Sequence, residues 1–158
     1  MKIRTGLVCA AGALLCACQG AATTRPSPST SYQVGVSRED QFRQGVPQQL
    51  GRLGFQVERF DESSTNFRWI TMPRTRPVFT DETGVREGEM KLVVTARKAQ
   101  GAIRGDLFKM TVDMESRTRV HPDSAWTPVR HTPEYDRFAA RIIQDFRTAF
   151  DTGEHLRN

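Results

Sequence analysis

The sequence predicts an α+β fold, with an antiparallel β-sheet of about four strands and an N-terminal and a C-terminal helix packed on one face. Two stretches of period-two alternation, Met90 to Ala96 and Phe108 to Met114, flank a segment holding Gly101 and Gly105. Stretches spaced for one face of a helix, Phe42 to Leu53 and Tyr135 to Phe150, lie near the two ends of the chain. Period two with turn glycines marks a half-buried hairpin, and period 3.6 marks the helices that cover it.

In the first helix Ser37 is placed as N-cap, and Glu39 and Asp40 load the first turn, where carboxylates favour the helix dipole. Phe42, Val46, Leu50 and Leu53 then share one face, and Gly54 suits the position after the last turn. Pro47 leaves two alternatives: the helix bends there, or it starts there with Pro47 in its first turn. Phe55 to Phe60 and Asn66 to Met72 are predicted strands, separated by a polar turn and rich in aromatic and β-branched residues. A long connection runs from Pro73 to Gly88. Beyond the hairpin a short edge strand is expected near Ala125 to Arg130, because Pro128 cannot donate to a ladder. Thr132 then caps the last helix, with Pro133 at its first position and Glu134 and Asp136 in its first turn. Tyr135, Phe138, Ala139, Ile142, Phe146, Ala149 and Phe150 form its apolar stripe.

The N-terminus has the three parts of an export signal. Lys2 and Arg4 supply the positive start, Leu7 to Ala17 is an apolar run too short for about 30 Å of hydrocarbon, and small residues follow. The run ends Leu15-Cys16-Ala17-Cys18, which resembles the bacterial lipobox, with Cys16 where that pattern usually has Ala, Ser, Thr or Val. The resemblance implies cleavage after Ala17 and a diacylglyceryl and acyl (palmitate-type) anchor on Cys18. An ordinary signal ending near Ala22 is the alternative. Gln19 follows Cys18 where the proteobacterial sorting pattern puts Asp for inner-membrane retention, so the outer membrane is the expected address. The chain thus divides into a signal peptide (1–17), the lipidated Cys and a flexible tether (18–32), and a single α+β periplasmic domain (33–158). The tether carries Pro26 and Pro28 and few large apolar residues, so it cannot build a core.

Composition excludes several classes. The chain has 158 residues and a net charge of +5, which falls to +3 when Lys2 and Arg4 leave with the signal. There is no dense basic stripe, so nucleic acid is not an expected partner. The three Cys all lie in the first eighteen positions, so processing leaves Cys18 alone and no internal disulfide is expected. His121, His131 and Asp123 supply zinc-ligand types without a recognised ligand spacing, and no metal or cofactor is expected. Asp61-Glu62 and Asp81-Glu82 read as solvated turn carboxylates. There is no G-x-S-x-G nucleophile elbow and no phosphate-binding loop, so the chain is not expected to be an enzyme. The candidate binding feature is the set Arg74, Arg76 and Arg86 in the long connection, whose guanidinium forks suit phosphate or carboxylate.

The order of elements behind a lipobox and tether resembles the helix-grip domains of BamC-type outer-membrane lipoproteins. That resemblance implies a partner-binding envelope domain and transfers no functional residue. The expected function is a non-enzymatic, membrane-anchored lipoprotein of the cell envelope, acting as a protein-interaction or accessory assembly module. The alternative is a periplasmic binding module for an anionic lipid, glycan or small ligand. The expected partners are the membrane, through the N-terminal lipid, and an envelope protein complex. The sequence leaves the oligomeric state open.

The anchor is directly testable. Cys18→Ser should abolish metabolic labelling by palmitate and release the protein from membranes; unchanged labelling would contradict the assignment.

Overall fold

The computed structural model describes residues 29–99 and 107–150. The order is β1 (Thr30–Arg38), α1 (Glu39–Arg52), β2 (Val57–Ser63), β3 (Asn66–Thr71), β4 (Arg74–Arg76), β5 (Glu87–Lys98), β6 (Leu107–Arg119), β7 (Thr127–Pro128) and α2 (Pro133–Phe150). This corrects the expected four-stranded α+β architecture. The described residues form one seven-stranded antiparallel sheet, 45% strand against 28% helix, with two helices beside it.

The long β5–β6 hairpin is the spine. Its register runs from Glu87↔Arg119 to Lys98↔Phe108, as the alternation on both sides of the turn predicts. The strand path is β1-β6-β5-β3-β2, with β4 continuing beside β5 past the end of β3 and β7 continuing beside β6. Residues 100–106, which hold the predicted turn glycines, lie outside the described residues, as do Cys18 and most of the predicted tether.

The expected edge strand near Ala125 to Arg130 is the two-residue β7, paired with β6, whereas β1 and β4 are absent from the prediction for physical reasons. β1 pairs with β6 through a register shift between Gln33 and Gly35, and that bulge breaks the period-two signal. It begins at Thr30, within the predicted tether, and it contains Ser37. Ser37 is therefore not the N-cap: it is a buried strand residue opposite Phe108, while Arg38 holds the cap position without a side-chain cap. The Ser37 hydroxyl still reaches the helix, donating to Gln41 Oε1 at 3.2 Å. β4, of three residues, is too short to show a period.

α1 passes through Pro47, which therefore does not start the helix. Gly54, at φ +74°, terminates it, and Phe55 N–H donates to Leu50 O at 2.8 Å. At the start of α2, Thr132 Oγ1 accepts the Tyr135 N–H at 3.3 Å, the predicted cap.

Both helices cover the face that carries Met90, Leu92 and Val94 of β5 and Phe108, Met110 and Val112 of β6. Its centre is aromatic. Phe42 of α1 meets Phe67 and Phe108 edge-on at 5.0 Å and Trp69 at 5.8 Å. From α2 come Tyr135, Ala139, Ile142, Ile143, Phe146 and Phe150, all buried. The predicted stripe omits Ile143 and includes Ala149, which is exposed. The helices meet where the Phe150 ring lies so close to Gly45 that an added Cβ would stand 2.8 Å from it.

Phe42 is fully buried at the junction of α1 and three aromatic neighbours. Phe42→Ala should lower unfolding free energy by about 3–5 kcal/mol in a urea titration. A loss below about 1 kcal/mol would show that the core does not depend on this contact.

Candidate functional site

The arginine segment does not form a converging anion site. Arg76, in β4, is only 4% exposed, and its guanidinium is fully engaged inside the fold. Nη1 and Nη2 donate to the Glu82 carboxylate at 2.9 and 2.5 Å, Nε donates to Ser116 Oγ at 2.9 Å, and Nη1 also donates to Pro77 O at 2.7 Å. The rings of Tyr135 and Phe79 stack at 5.1 and 5.5 Å. Gly88 permits this, because a Cβ there would stand 3.0 Å from the guanidinium carbon. Burial pushes the Tyr135 phenol above its usual value, so the ring stays neutral beside the cation at physiological pH. Arg74 donates to Leu53 O and lies over the Phe55 ring at 5.1 Å. Arg86 is exposed, with its backbone N–H on Arg119 O.

The carboxylates read as turn solvation are structural. Glu82, 7% exposed, is the Arg76 partner and also accepts the Phe79 N–H at 2.9 Å. Asp81 accepts from Thr132 Oγ1 and from Glu134 N–H, both at 2.9 Å, so it caps α2 from another segment. Glu134 reciprocates by accepting the N–H and hydroxyl of Thr80 at 3.0 and 2.8 Å. A cleft of about 430 Å³ opens beside β7, but both carboxylates on its wall are committed to these bonds. Asp61 and Glu62 are also engaged, with Arg59 at 2.7 Å and with Arg43.

His121 and His131 sit in separate exposed pairs, 3.4 Å from Asp123 and 2.8 Å from Asp136. Among the described residues no three metal-ligating side chains come together. Trp126 is half-buried, with the guanidinium of Arg119 4.6 Å from its ring.

The arrangement best suited to binding lies at the edge of the sheet. Trp69 is only 3% exposed, so the sheet does not present it as an open apolar face. Beside it α1 leaves β2 uncovered, and a groove of about 340 Å³ is lined by Arg43, Pro47, Val57, Phe60 and Trp69. Phe60 is 43% exposed, with its ring 5.0 Å from Trp69, and Val57 is 39% exposed. Residues three apart on a regular strand point to opposite faces. A register shift between Val57 and Arg59 sets Val57 opposite Thr71 and Phe60 opposite Trp69, which brings both into the groove. The sequence carries no signal for that bulge, so Phe60 could not be assigned to the groove from its spacing. Arg43 closes one rim, bonded to Glu39 and Glu62 and lying 4.7 Å from the Phe67 ring centre.

The Arg76–Glu82 assignment has a stability signature. Glu82→Ala leaves a buried guanidinium without its counter-ion and should cost about 3–5 kcal/mol, whereas Arg76→Met with Glu82→Met together should recover most of that loss. Equal unfolding midpoints for Glu82→Ala and the native chain would contradict the role assigned to the pair.

No family model, curated protein or solved structure matches the chain, so its own side chains alone bear on what it binds.

Proposed function

We propose that this chain is a non-enzymatic lipoprotein of the bacterial cell envelope, anchored through Cys18 and facing the periplasm, that docks a partner protein in the groove between α1 and β2. The observation that carries the docking role is the pair Val57 and Phe60, held half-exposed against Trp69 and Pro47. Leaving an aromatic ring in water at a rigid groove forgoes burial that a partner restores, and aromatic anchors in such grooves dominate interface energies. β2 is the outer strand of the path, and its outer edge, which pairs with no strand among the described residues, offers backbone donors and acceptors beside the groove. Its charged residues Glu58, Arg59, Asp61 and Glu62 disfavour unspecific strand pairing, which leaves the groove to select the partner.

The lipobox-like N-terminus supports the anchor, and Gln19 after Cys18 supports the outer membrane as its address. An envelope complex is the partner class, since export brings the domain to the periplasm. Ligand capture by the arginine segment has less support, because Arg76 is spent on Glu82 and Ser116.

A photoreactive residue in place of Val57 should cross-link one protein in native membranes, and Phe60→Asp should weaken that complex by roughly thirtyfold or more. Arg86→Gln should leave it unchanged. Equal recovery of the partner by the Phe60→Asp protein would overturn the groove as the docking site.

A further inference from the structure

The face of the sheet opposite the helices carries an electrostatic division that neither the core nor the groove uses. At one end of the β5–β6 hairpin the cations are neutralised across the strands. Arg119 donates to Glu87 at 2.9 and 2.5 Å, Arg117 bonds Glu89, and Lys91 lies 3.9 Å from Glu58. At the other end the pairing stops. Arg97 stands directly opposite Lys109 in the β5–β6 register, and Arg68 occupies the next pair along, opposite Thr95. All three are exposed, and among the described residues none has a side-chain hydrogen bond, ion pair or ring contact. Asp61, opposite Arg68 on β2, is bound to Arg59 instead.

Like charges directly opposite each other destabilise a sheet, and diagonal neighbours lie only about 7–8 Å apart. Unpaired cations often serve to protect an edge strand from pairing. That explanation fails here, because β3, β5 and β6 are all interior strands of the path. An external anion relieves the repulsion, and it has to approach a broad face that neither α1 nor α2 covers.

We infer that Arg68, Arg97 and Lys109 form a contact surface for an anionic phospholipid bilayer, engaging headgroup phosphates on the leaflet beneath the domain. Charge complementarity selects an anionic surface, and the spread of the cations over three adjacent strands suits an extended sheet of headgroups better than one enclosed ligand. The chain geometry allows the contact. Thr30 pairs with Met114, five residues from Lys109, or about 17 Å along β6. The twelve Cα-to-Cα steps from Cys18 to Thr30 reach at most roughly 40 Å. This surface is separate from the groove, which the contact leaves open to a partner.

The test uses the chain from residue 18 onward with Cys18→Ser, so that no lipid is attached; the buried core, Val34 to Phe150, is retained. Binding is measured by co-sedimentation with vesicles of phosphatidylethanolamine and phosphatidylglycerol, and with phosphatidylcholine vesicles. The native sequence should bind the anionic vesicles selectively, and the binding should fall as salt rises. Each cation near such a surface contributes about fivefold, so Arg68→Gln, Arg97→Gln and Lys109→Gln together should weaken binding roughly a hundredfold. A control with Arg130→Gln, Arg137→Gln and Arg141→Gln makes the same charge change elsewhere and should retain most of the binding. Circular dichroism verifies that the variants fold. If the triple variant fails to fold, the salt dependence and lipid selectivity of the native sequence decide the matter. Equal binding to both vesicle types, equal loss in the control, or no binding to anionic vesicles would overturn the bilayer as the occupant; the last result would leave an acidic protein surface as the alternative.

Discussion

The ion pair of Arg76 and Glu82, buried between β4, β6 and α2, holds the segment after β4 against the sheet and the start of α2. A guanidinium and a carboxylate removed from water are costly unless the geometry is good and their other bonding positions are filled. Here Ser116 Oγ, Pro77 O and the Phe79 N–H fill them, and two aromatic rings flank the cation. The pair therefore ties β4 to β6 and fixes the segment that follows. Two residues of that segment, Thr80 and Asp81, then hold the N-terminus of α2 through Glu134, Thr132 and a backbone N–H. Gly88 belongs to the same device, since a larger residue would meet the guanidinium.

That constraint changes where binding is sought. A long connection rich in Arg, Pro and Gly reads as a recognition loop, yet its central Arg is a core residue and its carboxylates are internal caps and counter-ions. Binding capacity lies instead where the packing is incomplete. The helical layer ends before β2, leaving Phe60 and Val57 beside Trp69, and the other face of the sheet carries cations near one end of the hairpin that have no partner among the described residues. One surface is apolar and concave, the other charged and broad. The two surfaces are separate, so the proposed partner and the proposed charged surface do not compete for the same residues.

Legibility in the sequence followed element length and regularity. The β5–β6 hairpin showed itself because alternation persists on both strands, and α2 because its stripe runs from Tyr135 to Phe150 behind a Thr-Pro start. β1 was hidden by its bulge, which made Ser37 look like a helix cap when it is a strand residue facing the core. β4 has too few residues to carry a period, whereas Pro128 marked the short edge strand β7. The bulge in β2 defeated the assignment of Phe60 in the same way. The partner of Arg76 depends on a fold-back of six residues closed by Ser116, forty positions away, and no local pattern encodes that distance. The segment that resembles a lipobox is the reverse case, since the pattern that the resemblance rests on is carried by adjacent residues.

The proposed docking puts the partner in the α1–β2 groove and leaves the arginine segment unused. Hydrogen–deuterium exchange of the protein in native membranes, compared with the same protein purified away from its partners, tests this most directly. Added protection should fall on residues 42–48 and 55–63, with residues 73–88 unchanged. Protection concentrated in 73–88, with 55–63 exchanging as in the purified protein, would contradict it.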